Sequence, residues 1–231
     1  MKIPRNIQMI IFDMAGTVVN EKGLVYDTLY NTMKTVGLNV TEENVHNWYG
    51  HNIHGVLDEE LKSTFPDYSE NEFNTLQLKL YTNFERNLLQ NYVKPGNLSL
   101  IDEGIIDMFN DMRKNYYKIC LNTGYPHYIQ KFIISKLGLD KCIDSYIASD
   151  EVKGGRPFPY MIHTLMDRHH IRCSENVIKV GDTPIDMREG ITSRCGKTVG
   201  VLTGVGTEDE LYKSGASYVI DSVMDLEYME A

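Results

Sequence analysis

The stretch "MIIFDMAGTVVN", residues 9–20, sets Met9, Ile10, Ile11 and Phe12 directly before Asp13, then passes through Ala15 and Gly16 to Thr17. A short apolar run without alternation reads as a strand buried on both faces, the form taken by strands of a covered parallel sheet. An acid at the carboxyl end of such a strand stands where open α/β sheets bind their ligands. Five more runs share this form: "YKICLNT" (117–123), "SYIASD" (145–150), "VIKVGDT" (177–183), "TVGVLT" (198–203) and "YVIDS" (218–222).

Amphipathic segments separate these runs. "DEGIIDMFNDMRKN" (102–115) sets Ile105, Ile106, Met108, Phe109 and Met112 on one side, and "HYIQKFIISKLGL" (127–139) ends at Gly138, a helix cap. "PYMIHTLMDRHH" (159–170), closing on an exposed His169–His170 end, and "PIDMREGITSR" (184–194) follow. One region breaks the alternation: residues 21–92 carry helical spacing throughout, no strand candidate, and the single tryptophan, Trp48. The breaker "KPGN" (94–97) closes it. The expected fold class is therefore α/β, a Rossmann-like open parallel sheet core with an inserted all-helical cap. The core would comprise residues 1–20 and 93–231 and the cap residues 21–92, hung beside the strand ends as a lid.

The chain has 231 residues, 42% hydrophobic and 24% charged, enough for one large domain or a domain with an insertion. Its net charge of −9 argues against nucleic acid or an anionic membrane as the main partner. No apolar run approaches the roughly 18 residues of a membrane span, and Asp13 interrupts the N-terminal one, so a cytoplasmic protein is expected. Cys120, Cys142, Cys173 and Cys195 are scattered without a CxxC pair and read as reduced, mostly buried thiols.

The predicted strand ends carry the chemistry. The first ends in Asp13, the second in Thr123–Gly124, and the fourth in Gly181–Asp182–Thr183 with Asp186 close behind. After the third comes "DEVKGGRPFP", with Lys153 and Arg156 in a glycine-rich loop. Two carboxylates repel unless a cation lies between them, so Asp13 and Asp182 point to an oxygen-only Mg²⁺ site. Thr123, free amides at helix starts and Arg156 suit phosphoryl oxygens.

In this order, the motifs resemble the haloacid dehalogenase superfamily, and "FDMAGTVVNEKGLVY", "SDEVKGGRPFPYM" and "VGDTPIDMREG" resemble its phosphonatase branch, the relatives of phosphonoacetaldehyde hydrolase. The resemblance implies a Mg²⁺-dependent hydrolase that acts on a small phosphate or phosphonate through an aspartyl-phosphate on Asp13. Asp13, the Ala15 carbonyl and Asp182 would hold the metal. Thr123 would bind a phosphoryl oxygen, and Arg156, with Lys153 second in line, would neutralise the phosphoryl charge. Gly16, Thr17, Gly124 and Asp186 would support the phosphate loop. Related proteins often pair through their caps, which makes a homodimer an expectation.

Ala15 sits where most phosphatases of the superfamily carry a second aspartate, the acid that protonates the leaving group. Phosphonatases also lack it and use a cap lysine to form an imine with an aldehyde substrate. That lysine matches Ile53 in "YGHNIHGVLDEEL" (49–61), which cannot form an imine; Lys62 is a remote substitute. Gly50, His51 and His54 of the same stretch are cap candidates facing the substrate, the histidines because imidazole titrates near neutral pH, although both also read as ordinary cap-loop residues. Three alternatives stay open: phosphonoacetaldehyde hydrolysis through a non-standard lysine, a non-catalytic phosphate-binding relative, and haloacid dehalogenation, which needs no metal.

Overall fold

The computed structural model describes residues 3–228. Six parallel strands form one sheet in the order β5-β4-β1-β6-β7-β8: β1 (Met9–Phe12), β4 (Lys118–Thr123), β5 (Ser145–Ala148), β6 (Val177–Gly181), β7 (Lys197–Val201) and β8 (Tyr218–Ile220). All six lie within the runs read from the sequence, save Lys197 at the start of β7. The strand β1 lies between β4 and β6, so the chain fills the sheet first to one side of β1 and then to the other. This reversal opens a crevice beyond the carboxyl ends of these three strands.

The continuous apolar run of β1 has its reason in burial on both faces. Ile10 and Phe12 join one core cluster, with Ile129 of helix α6 (His127–Leu137) and Phe109 of α5 (Ile105–Lys114), while Met9 and Ile11 join another with Met161, Ile162 and Leu165 of α7 (Tyr160–Arg168). Phe12 and Phe109 stack with ring centroids 4.8 Å apart. Of the residues read as one side of α5, Ile105, Met108, Phe109 and Met112 are buried and Ile106 is half-buried. Gly138 caps α6 in the left-handed conformation at φ 71°. Helices α8 (Pro184–Thr192) and α9 (Glu208–Lys213) cover β6, β7 and β8.

Residues 24–92 form four helices, α1 (Leu24–Lys34), α2 (Glu42–Asn47), α3 (Ile53–Thr64) and α4 (Glu70–Tyr92). The longest, α4, starts at a reciprocal cap in which Ser69 and Glu72 bind each other's backbone N–H, and it buries Leu80, Phe84, Leu88 and Tyr92 at fourfold spacing against α1 and α3. Where the chain leaves the sheet for these helices and where it returns, β2 (Val19–Asn20) and β3 (Ser99–Leu100) pair antiparallel. Two-residue strands give too short a pattern to read from sequence.

The thiols differ from expectation: all four are free, but only Cys120 and Cys142 are buried, Cys195 being half-buried and Cys173 exposed. Cys173 lies in the connection before β6, where no strand or helix face covers it. His169 ends α7 half-buried and His170 follows exposed. Among the described residues no helix is long and apolar enough to cross a membrane. Phe109→Ala, which empties the contact beneath β1, is expected to lower unfolding free energy by about 3–5 kcal/mol in urea denaturation.

Candidate active site

Asp13 continues β1, donating its N–H to the Val180 carbonyl at 2.9 Å, and its carboxylate emerges beyond the sheet. Asp182 follows the last residue of β6, and Thr123 ends β4. The crevice at these strand ends brings Asp13, Asp182 and Asp186 together, with one carboxylate oxygen of each within 4.8 Å of the others. A single side chain ties the cluster. The guanidinium of Arg156, only 5% exposed, donates to Asp13 Oδ1 at 2.6 Å and to the Asn122 carbonyl at 2.9 Å, and it pairs with Asp186 at 3.0 Å and Glu189 at 3.3 Å.

Three more participants were not visible in the motifs. Ile11 lies opposite both Cys120 and Lys179, so the twofold period of strands points Lys179 and Asn122 to one face. There the fully buried Lys179 ammonium reaches Asn122 Oδ1 at 2.7 Å, Asp186 at 2.9 Å and Glu189 at 3.5 Å. The Asn122 amide in turn donates to both oxygens of Glu189, at 3.0 and 2.9 Å. The signal was a lysine inside the apolar run "VIKVG"; a buried lysine needs acids, and its strand position names the level at which to look for them.

The electrostatics of this cluster are unbalanced. Four buried carboxylates, Asp13, Asp182, Asp186 and Glu189, face two buried cations, Arg156 and Lys179. Burial works against the Asp186 anion, but Arg156 and Lys179 outweigh it and hold this carboxyl below its ordinary range. Asp13 is pushed up to about 6, first by burial, with Asp186 adding to the effect and Arg156 opposing it. Burial and then the Asp13 charge raise Asp182 well above its usual value. The two missing positive charges belong beside Asp13 and Asp182. Asp182 accepts from the Thr17 hydroxyl at 3.1 Å and the Val205 N–H at 3.0 Å, while Asp13 Oδ2 has no hydrogen-bond partner among the described residues. Oxygen donors carrying a charge excess of two fit a hard divalent cation such as Mg²⁺.

A cavity of about 200 Å³ opens over these groups, lined by Asp13, Ala15, Gly16, Thr123, Gly124, Arg156 and Asp182 from the sheet side. The space of roughly seven waters suits a small metabolite. Gly50, His51 and Ile53 close it from the other side. Their approach depends on two glycines: a Cβ on Gly124 would stand 2.1 Å from the His51 carbonyl oxygen, and Gly50, at φ 75°, passes within reach of Thr183. Thr17 and Asp186 lie beneath the cavity surface, in the hydrogen bonds already given.

Three residues proposed from the sequence are not brought to the cavity. His54 turns to helix α4, pairing with Glu85 at 3.0 Å and stacking on Tyr81. Lys153 is exposed, with its ammonium 4.2 Å from the Tyr160 ring centre. Lys62 is exposed beside Phe73. His51 and His54 stand three apart at the start of α3, and the turn sends them to different neighbours. Ile53, at the position matched to the imine-forming lysine, does line the cavity.

The family model of haloacid dehalogenase-like hydrolases matches residues 10–201, most of the chain. The chain belongs to that family. This hydrolase is 26% identical over 209 residues to phosphonoacetaldehyde hydrolase of Latilactobacillus sakei, an alignment covering 86% of this chain and 74% of the relative. It is 28% identical over 177 residues to the phosphonoacetaldehyde hydrolase of Parabacteroides distasonis, covering 64% of each, so under two thirds of that relative's length. Among solved structures, a phosphonoacetaldehyde hydrolase-like protein from Oleispira antarctica shares the fold at a TM-score of 0.77 and 22% identity, over 99% of this chain and 92% of the other. A predicted phosphoglycolate phosphatase from Haemophilus somnus does so at 0.74 and 18%, over 96% of both. The hydrolase is thus phosphatase- or phosphonatase-like, with a Rossmann-like α/β fold.

Asp13 binds its proton more tightly in the folded, metal-free protein than in the unfolded chain. Well below the ordinary value of 3.8 both states are protonated and this residue favours neither; as pH rises through 3.8 to about 6 the unfolded state ionises more readily, so stability falls. Metal-free protein is expected to lose stability across that window, and Asp13→Asn to flatten the loss, as followed by thermal midpoint against pH. Lys179→Met, which strands Asp186 and Glu189 beside one remaining cation, is expected to cost about 3–5 kcal/mol in denaturant unfolding.

Proposed function

We propose that this protein is a Mg²⁺-dependent hydrolase of a small phosphorylated or phosphonylated metabolite, acting through an aspartyl-phosphate on Asp13, with residues 21–92 serving as a cap over the site. The observation that carries the reading is the pair of buried carboxylates, Asp13 and Asp182, in a cluster of four buried acids served by two buried cations, at the mouth of a small cavity that also presents Arg156 and Thr123. Asp13, the Ala15 carbonyl and Asp182 would hold the metal. When bound, it supplies the positive charge that both carboxylates and the phosphoryl oxygens require.

Arg156 fixes the Asp13 carboxylate through Oδ1, and this oriented carboxylate is the nucleophile. Its attack on phosphorus breaks the bond to the leaving group, which departs with the electron pair. Water then cleaves the acyl phosphate and restores the carboxylate. Arg156, the Thr123 hydroxyl and the backbone around Gly16 and Gly124 provide the fixed donors for phosphoryl charge.

Ala15 offers the leaving group no proton. His51 is the cap histidine on the cavity wall; burial lowers its pKa, with Arg188 and Arg156 adding to the effect against Glu59, so its imidazole is neutral at pH 7. A neutral imidazole accepts a proton from water more readily than it gives one to an alkoxide. The reading therefore predicts preference for leaving groups that depart unprotonated. With Mg²⁺, acyl phosphates are expected to turn over faster than alkyl phosphates, Asp13→Asn to abolish turnover, and Ala15→Asp to raise alkyl-phosphate kcat/KM by roughly 10²-fold or more. Turnover unchanged in Asp13→Asn would end the reading.

The relatives named phosphonoacetaldehyde hydrolase bring a second reading, cleavage of that C–P bond. Ile53 on the cavity wall and the outlying Lys62 count against it. Borohydride reduction in the presence of phosphonoacetaldehyde is expected to leave the cap lysines unmodified; a stable adduct on one of them would shift the assignment to C–P cleavage.

A further inference from the structure

The wall that residues 21–92 contribute to the cavity carries one formal positive charge, Lys22. Its backbone sits in the left-handed region at φ 58°, which is unfavourable for a residue with a Cβ. The next residue, Gly23 at φ 75°, adopts the same region freely. Nothing in the surrounding structure uses the strained side chain. Lys22 is exposed, and among the described residues its ammonium has no ion pair and no hydrogen bond. Its neighbour Glu21 faces inward and is already committed: its carboxylate accepts the N–H of Gly23 at 3.0 Å, the N–H of Val25 at 2.8 Å and the Tyr92 hydroxyl at 3.1 Å, holding the start of α1. The Tyr26 hydroxyl on the same wall accepts the Gly50 N–H at 2.8 Å.

We propose that Lys22 is a specificity-determining residue, receiving on its ammonium a second anionic group of the substrate, in the smallest case a carboxylate. This rests on the reading that the phosphoryl group lies at Asp13 and Arg156. The two sites share one cavity of about 200 Å³, so the substrate spans them with only a few atoms between its two anionic ends. An exposed cation at a cavity mouth keeps its water until a ligand carboxylate enters. The pair that forms is then partly screened, and it sorts substrates more than it tightens binding.

Phosphonoacetate and ethylphosphonate differ only in a carboxylate against a methyl group, and neither offers an ester to hydrolyse. In calorimetric titrations of the Mg²⁺-loaded protein, phosphonoacetate is expected to bind about fivefold tighter or more. Lys22→Gln should bring the ratio of the two affinities to within about twofold of unity, and Lys22→Arg should keep it. Lys22→Gly should abolish the preference while its thermal midpoint stays at or above that of the unsubstituted protein, since glycine relieves the left-handed strain. A ratio near one in the unsubstituted protein, or a ratio that survives Lys22→Gln, overturns the assignment. If ethylphosphonate binds with Mg²⁺ and no carboxylate preference appears, only the role of Lys22 is lost. If neither phosphonate binds, the phosphoryl site beneath it is lost as well.

Discussion

Buried carboxylates at the ends of β1 and β6 and on helix α8 outnumber the buried cations that serve them, and most of the site follows from that imbalance. Arg156 and Lys179 settle the two acids deepest in the core, Asp186 and Glu189, with Asn122 bridging between them. What stays unneutralised is concentrated where the chain meets the cavity. Asp13 and Asp182 both hold their protons more tightly than free carboxylates, first because they are buried and then because neighbouring carboxylates crowd them. A core that had only to be stable would bury apolar side chains here. On the proposed function, the cost of collecting these acids would be offset by a bound cation.

The cavity has two chemically different halves. The sheet side is crowded with fixed charge and backbone donors, already oriented by strand ends. The side contributed by residues 21–92 is sparse: Ile53 in place of a lysine; His51; Tyr26 and Glu21, already tied to other partners; and Lys22 at the rim. Gly50 and Gly124 let these two halves touch, because any side chain at either position would hold them apart. On the proposed function, with Ala15 providing no acid, the protein would supply strong help to the phosphoryl end of the reaction and little to the leaving group.

Much of this was legible beforehand. The six strands of the sheet, the helical stretch from 24 to 92, and the convergence of Asp13, Thr123, Arg156 and Asp182 all follow from short-range patterns: apolar runs, helical periodicity, and motif residues placed at strand ends. The order of Arg156 before Lys153 came from the family resemblance and not from such patterns, since both lie in one glycine-rich loop and packing sends one inward and the other onto the Tyr160 ring. His54 escaped for a related reason: one turn of helix carries it from the cavity side to α4, and the start of α3 has to be placed before that rotation is known.

By itself, then, the sequence determined the sheet, the order in which functional residues arrive at its edge, and the absence of both an acid at Ala15 and a lysine at Ile53. These are properties of individual positions and of repeats a few residues long. Only the tertiary structure decided that Asn122, Lys179 and Glu189 complete the charge network, that Gly124 meets the loop at His51, and that Lys22 stands on the cavity wall unpaired among the described residues. Each of those depends on segments tens to more than a hundred residues apart being brought within a few ångströms, and local periodicity carries no record of such distances.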